Sequence, residues 1–128
     1  MNCLLVVEDQ PSDIKVAVDA ARSAGIPVIE SHTTLRGAQE YLEKGLRGEI
    51  PLPDGIVLDL DLGHESGFEL LRFWHSTPRI KAIPMLVWSI LGQEQKEICG
   101  LFKVTGFVSK WEGATAFREA LDKLRAGN

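Results

Sequence analysis

The chain has 128 residues, of which 45% are hydrophobic and 25% are charged. This balance is that of an ordinary globular domain and not of a disordered or fibrous chain. The formal charge is -4, and no run of Lys or Arg marks a nucleic-acid or membrane surface. We therefore expect one domain over residues 1–128, cytoplasmic, with no membrane span and no nucleic-acid partner. Cys3 and Cys99 do not have the close CxxC spacing that is typical of metal-binding or redox motifs, and we expect both to be reduced thiols.

Short apolar segments alternate with longer segments of helical periodicity along the chain. The apolar segments show little polar alternation, which predicts buried strands of a parallel sheet. In chain order these five strands cover residues 3–7, 27–31, 55–58, 85–88 and 106–109. Strands that alternate with helices through right-handed crossovers form a doubly wound α/β sandwich. In such a fold, ligands bind beyond the carboxyl ends of the strands.

Five helices are predicted between and after these strands. The first begins near Pro11 and ends near Gly25, and the last ends near Gly127, because Pro suits a first turn and Gly suits a helix end. The second covers residues 35–46, the third about 66–74 and the fourth about 92–102. Pro78 and Pro84 are expected to keep helix from extending between the third helix and the fourth strand.

The carboxyl ends of the predicted strands carry polar residues suited to one site. These are Glu8 and Asp9 after the first strand, Asp59 after the third, Ser89 after the fourth and Lys110 after the fifth. The second strand ends in Ser31 and His32, which add little to such a site. Carboxylates that lie close together repel one another, and a bound Mg²⁺ would relieve that repulsion. The set therefore predicts a site for Mg²⁺, or Mn²⁺, and a phosphoryl group.

Each residue type suits one step of phosphoryl transfer. Asp59 can act as the nucleophile and form an acyl phosphate. Lys110 can neutralise one phosphoryl oxygen, and Ser89 can donate a hydrogen bond to another. Taken singly, Glu8 and Asp9 could merely cap the first helix, and Lys110 could be a solvated lysine. Their joint placement at strand ends favours the shared site.

Over nearly its whole length the sequence resembles the receiver domain of two-component response regulators. The resemblance rests on Leu4 to Pro11, on Ile56 to Leu62 followed by Gly67, on Pro84 to Ser89, and on Gly106 to Lys110. It implies a flavodoxin-like three-layer sandwich with strand order 2-1-3-4-5. The segment from Val7 to Asp13 and the Pro-bearing loop before Asp59 are most similar to stand-alone receivers paired with bacterial phytochromes.

The resemblance also implies a function and a partner. A sensor histidine kinase would transfer phosphate to Asp59, with Mg²⁺ held by Glu8, Asp9, Asp59 and the backbone carbonyl of Asp61. Ser89 and Phe107 would act as the switch residues. Because little chain follows the last predicted helix, we expect no output domain and signalling by contact with a downstream protein. An apolar face on the fourth and fifth helices could serve a homodimer.

Four residues depart from the family pattern. Ile90 stands where Ala or Gly is usual and could narrow access to Asp59. Asp61 adds an acid near the incoming phosphoryl group, and Gly63 loosens a loop that commonly has Pro. Trp111 stands where the family has a Pro that is joined to the lysine by a cis peptide bond. A cis bond before a residue other than Pro is costly, so the sequence does not decide how Lys110 is oriented.

Two other functions stay open on the sequence alone. A haloacid-dehalogenase-like phosphatase would have a segment similar to Asp59-Leu-Asp61. In that family, however, the acidic pair follows the lysine in the chain, whereas here Glu8 and Asp9 come before both Asp59 and Lys110. A pseudo-receiver would be a docking module that is not phosphorylated. The full set of acidic residues with Lys110 favours a phosphorylated switch, which is not a turnover enzyme.

Overall fold

The computed structural model describes residues 1–90 and 92–127. Its strands are β1 (Cys3–Val7), β2 (Val28–His32), β3 (Gly55–Leu58), β4 (Asp61–Leu62), β5 (Glu65–Ser66), β6 (Met85–Ser89) and β7 (Gly106–Ser109). Five of them form a parallel sheet in the order β2-β1-β3-β6-β7. The predicted strand order is thereby confirmed, and strands β1, β3 and β7 have the predicted bounds.

The helices are α1 (Pro11–Ser23), α2 (Leu35–Leu46), α3 (Phe68–Ser76), α4 (Pro78–Lys81), α5 (Gln93–Leu101) and α6 (Gly113–Ala126). Helix α2 has the predicted bounds, and Pro11 begins α1 as expected. Among the described residues there are thus six helices, one more than predicted. The extra helix, α4, begins at Pro78, because proline is tolerated in the first turn of a helix, and it is one turn long. Ile80 on that turn is fully buried.

Two apolar clusters cover the two faces of the sheet. Leu5, Val7, Ile56, Leu58 and Val87 pack against α2, α3, α4 and α5 on one face. On the other face, strand residues such as Val6, Val57 and Trp88 pack against α1 and α6. Alternate side chains of each strand point to opposite faces, so strands that are buried on both faces must be apolar throughout. The result is the predicted three-layer sandwich.

The connection from β3 to α3 brings the chain back over the carboxyl end of β3. Strands β4 and β5 pair antiparallel in this connection, and Gly63 between them has φ of +71°, a conformation that favours glycine. Helix α3 consequently begins at Phe68 and not near residue 66. A Cβ atom on Gly67 would lie only 2.4 Å from the backbone oxygen of Asp59, so glycine permits this close approach.

Cys3 is half-buried, Cys99 is buried, and both are free thiols. Burial raises the pKa of the Cys99 thiol to about 11, which keeps it protonated at neutral pH. Within the described part of the chain, no helix combines the length and the apolar character that a membrane crossing requires.

Candidate functional site

The carboxyl ends of β1, β3, β6 and β7 bring the predicted site residues together. Glu8 and Asp59 are 1% and 3% exposed, and Ser89 is fully buried at the end of β6. The side chain of Lys110 is 11% exposed. Burying charged groups is costly unless they are paired or bind an ion. The pairing of these charges therefore determines what the site can do.

The Lys110 ammonium donates hydrogen bonds to three carboxylates. Nζ lies 2.6 Å from Glu8 Oε2, 2.8 Å from Asp13 Oδ2 and 2.9 Å from Asp59 Oδ2. These contacts account for all three N–H bonds of an ammonium group. Lys110 is thus directed at the side chain of Asp59, as the sequence predicted.

Asp13 is the member of the site that the sequence analysis did not assign. It lies in the first turn of α1, where acidic residues are common because they interact favourably with the helix N-terminus. Because an acid at this position is so common, its presence alone did not indicate a contact with Lys110. The available signal was its position, since the first turn of α1 follows Glu8 and Asp9 and must lie at the same edge of the sheet.

Burial and neighbouring charges shift the pKa of Glu8 and of Lys110. Burial raises the pKa of Glu8 to about 7, and the charge of Asp59 adds to the rise, while hydrogen bonds from Lys110 and the Gln10 N–H oppose it. Burial disfavours the charged form of Lys110, but its hydrogen bonds to Asp13, Glu8 and Asp59 outweigh that cost and raise its pKa. Lys110 is therefore charged at neutral pH, whereas Glu8 is poised to gain or lose a proton.

Glu8, Asp9 and Asp59 fit a divalent cation. Each offers a carboxylate oxygen, and the three oxygens lie within 4.8 Å of one another. Asp9 Oδ1 is buried and has no hydrogen-bond partner within residues 1–90 and 92–127, which is unusual for a buried polar atom. A cation with oxygen ligands, such as Mg²⁺ or Mn²⁺, would satisfy that atom and relieve the repulsion.

Asp61 and Ile90 lie beside Asp59 on a cavity of about 210 Å³, whose lining also includes Asp9, Asp13, Gly63 and Lys110. The backbone N–H of Asp61 donates to Asp59 Oδ1 over 3.0 Å, and its own side chain is exposed. Ile90 is 45% exposed. Asp61 and Ile90 therefore line the same cavity as Asp59, and the narrowing of access by Ile90 stays a prediction. A larger cavity, about 390 Å³ between β7 and α6, shares none of these residues.

The segment after β7 presents Lys110 without a proline. A short 3-10 turn spans Lys110–Glu112, and Ser109 caps it by accepting from the Trp111 N–H. Described residues contain no cis peptide bond, so the Lys110–Trp111 bond is trans. Trp111 is 81% exposed. Phe107 on β7 is half-buried and packs against the cluster that includes α5.

No protein-family model and no curated protein matches the chain, but many solved structures do. A phosphorylated cyanobacterial phytochrome response regulator, RcpA, is 26% identical with a TM-score of 0.79, over 92% of this chain and 86% of that one. The Mn²⁺-bound response regulator Rcp1 is 23% identical with a TM-score of 0.78, over 93% and 88%. The receiver domain of a Syntrophus aciditrophicus histidine kinase is 21% identical with a TM-score of 0.80, over 99% and 92%.

The fold is therefore that of a receiver domain. Its structural neighbours are response regulators and receiver domains, and phytochrome response regulators are among them. The resemblance stated from the sequence is confirmed at this level. The distances above place Asp59 beside Lys110 and beside carboxylates that fit a cation, which is the arrangement the sequence predicted.

Proposed function

We propose that the chain is a stand-alone response regulator receiver that accepts a phosphoryl group on Asp59. The observation that carries the proposal is the geometry at Asp59. Asp59 is 3% exposed. Its carboxylate lies 2.9 Å from the Lys110 ammonium and, with Glu8 and Asp9, forms a cluster that fits a cation. Such a cluster of buried carboxylates lowers the stability of the fold. Binding of a metal ion and a phosphoryl group would offset that cost.

The donor would be the phosphohistidine of a sensor histidine kinase. An oxygen of Asp59 forms a bond to phosphorus while the bond from phosphorus to the imidazole nitrogen breaks, and that nitrogen keeps the bonding electron pair. Lys110 neutralises one oxygen of the transferred group, and Ser89 donates to another. Mg²⁺ or Mn²⁺, held by Glu8, Asp9, Asp59 and the Asp61 carbonyl, would neutralise charge on the phosphoryl oxygens.

The signal would pass by protein contact in the cytoplasm. Ser89 and Phe107 are the proposed switch residues, and the responding face is formed by α5, β7 and α6. The occurrence of phytochrome response regulators among the structural neighbours supports a bacterial phytochrome as the partner kinase. A downstream protein or a second copy of the chain would read the switch face.

A measurement of intact mass tests the proposal. The protein is incubated with Mg²⁺ and a small acyl-phosphate donor, such as acetyl phosphate, and separately with a histidine kinase. The wild type should gain one phosphate, and Asp59→Asn should gain none. Asp54→Asn, which removes the same charge from an exposed position, should behave as the wild type. Absence of an adduct on the wild type with both donors would reject the proposal and favour the pseudo-receiver.

Assays on a small phosphate ester separate the switch from the phosphatase. Because an ester must expel an alkoxide, which is a poorer leaving group than the imidazole or carboxylate of the proposed donors, we expect no steady turnover of the ester. Sustained release of phosphate that is lost in Asp59→Asn would instead identify a phosphatase.

A further inference from the structure

The three carboxylates that hold Lys110 differ in their other contacts. Glu8 and Asp59 both belong to the cluster that fits a cation. Asp13 lies outside that cluster, on the first turn of α1, and its carboxylate is 29% exposed. Among the three acceptors in the described part of the chain, Asp13 is therefore the one that a metal ion at Glu8, Asp9 and Asp59 would leave to the lysine.

Phosphorylation of Asp59 and a cation at Glu8, Asp9 and Asp59 would each weaken the other two contacts of Lys110. Once an Asp59 oxygen is bonded to phosphorus, the carboxylate has lost its charge and accepts a weaker hydrogen bond. A cation held by Glu8, Asp9 and Asp59 would compete with Lys110 for the charge of Glu8. The ammonium would then lose its fixed position unless another group holds it.

We propose that Asp13 is a positioning residue that anchors the Lys110 ammonium beside Asp59 during phosphorylation. This inference rests on the proposed function of Asp59. The Asp13 contact runs from α1 across to the residue that follows β7, and the two partners are 97 positions apart in the sequence. It therefore anchors the Lys110 side chain to a different element from the one that carries its backbone, and it leaves the other two N–H bonds available to a phosphoryl oxygen.

Asp13 also has an opposing effect, because its negative charge repels an incoming phosphoryl donor. The two effects predict opposite results for Asp13→Asn: lost anchoring slows phosphorylation, whereas reduced repulsion accelerates it. Anchoring should dominate, since Lys110 at 2.8 Å offsets part of the Asp13 charge, and the Asp13 side chain is 29% exposed, so solvent screens its repulsion of the donor.

The first experiment measures Lys110 without metal or phosphate donor. NMR on protein with isotope-labelled lysine follows the exchange of the Lys110 ammonium protons with water, with the signal assigned by Lys110→Arg. Asp13→Asn should raise the exchange rate at least about tenfold, the effect expected from one charge-assisted hydrogen bond. Asp13→Glu should restore slow exchange. Asp19→Asn, which removes a charge from an exposed position on the same helix, should leave it unchanged.

The second experiment measures the rate of phosphorylation of the same variants by acetyl phosphate with saturating Mg²⁺. Asp13→Asn should lower the rate at saturating donor about tenfold, with partial recovery in Asp13→Glu and none of the loss in Asp19→Asn. A faster Asp13→Asn, or unchanged exchange of the Lys110 protons, would overturn the inference. If the wild type accepts no phosphate, the proposed function fails, and the exchange measurement still decides whether Asp13 anchors Lys110.

Discussion

The two ends of the parallel sheet use acidic residues in different ways. At the amino end, Asp54 Oδ2 accepts from the backbone N–H groups of Asn2 and Cys3 over 2.8 and 2.9 Å, so the acid completes the fold. At the carboxyl end, Asp59 accepts from the Lys110 ammonium and from the Asp61 N–H, and it lies beside two further acids.

This difference separates structural acids from chemical ones. An exposed carboxylate that satisfies backbone donors contributes to stability at little cost. Buried carboxylates that face one another cost stability, because one lysine does not neutralise Glu8, Asp9, Asp13 and Asp59 together. An arrangement that opposes folding indicates a ligand that offsets it. Each variant below tests whether the carboxyl end carries that cost.

Lys110→Met should have the largest effect on stability. It leaves the buried carboxylates of Glu8 and Asp59 without their cation, which should lower the free energy of unfolding by about 3 to 5 kcal/mol at pH 8. Urea unfolding without divalent metal measures the loss. Lys15→Met is the control, because the Lys15–Asp19 pair is exposed and should contribute less than about 1 kcal/mol. Equal losses in the two variants would contradict the contrast between the ends.

Glu8→Gln should change how stability depends on pH. The pKa of Glu8 is about 7 in the folded protein, raised from an ordinary value of 4.5. Between these two pH values the folded state therefore keeps a proton on Glu8 that the unfolded state has lost. Wild-type stability from this group should therefore fall as the pH rises from about 4.5 to about 7, by at most about 3 kcal/mol. Unfolding of both proteins at several pH values, with a chelator, measures the difference. A difference that stays constant from pH 5 to pH 8 would contradict the raised pKa.

Gly67→Ala should disturb the carboxyl end through packing alone. The added Cβ would lie 2.4 Å from the Asp59 backbone oxygen and 2.7 Å from Leu60 Cα, which should cost about 1 to 3 kcal/mol and slow phosphorylation. Gly100→Ala in α5 meets nothing within 4 Å and should stabilise the chain by about 1 kcal/mol. Thermal unfolding and phosphorylation rates compare the two, and a harmless Gly67→Ala would show that the loop can shift freely.

Asp54→Ala should have the smallest effect. Loss of its two hydrogen bonds at an exposed position should cost about 1 kcal/mol, and the rate of phosphorylation should not change. Chemical unfolding and intact-mass kinetics check both statements. A lower phosphorylation rate would mean that the amino end of the sheet also influences the site.

The sequence predicted the sheet and most of the site because both follow from strand ends. Apolar segments located β1, β3 and β7, and the fold then required Glu8, Asp59 and Lys110 to meet. The sequence did not assign Asp13 to the site, because the residues that a helical side chain contacts depend on the direction in which its turn of the helix faces. Helix α4 has four residues, too few to show a period, and the β4–β5 pairing depends on contacts within a loop.

Borohydride reduction after phosphorylation tests the central claim most directly, because it converts an aspartyl phosphate to homoserine that peptide mass spectrometry can locate. Wild-type protein treated with acetyl phosphate and Mg²⁺ should contain homoserine at position 59, and untreated protein should contain none. Homoserine at Asp9, Asp13 or Asp61 in place of Asp59 would contradict the assignment of the phosphoacceptor.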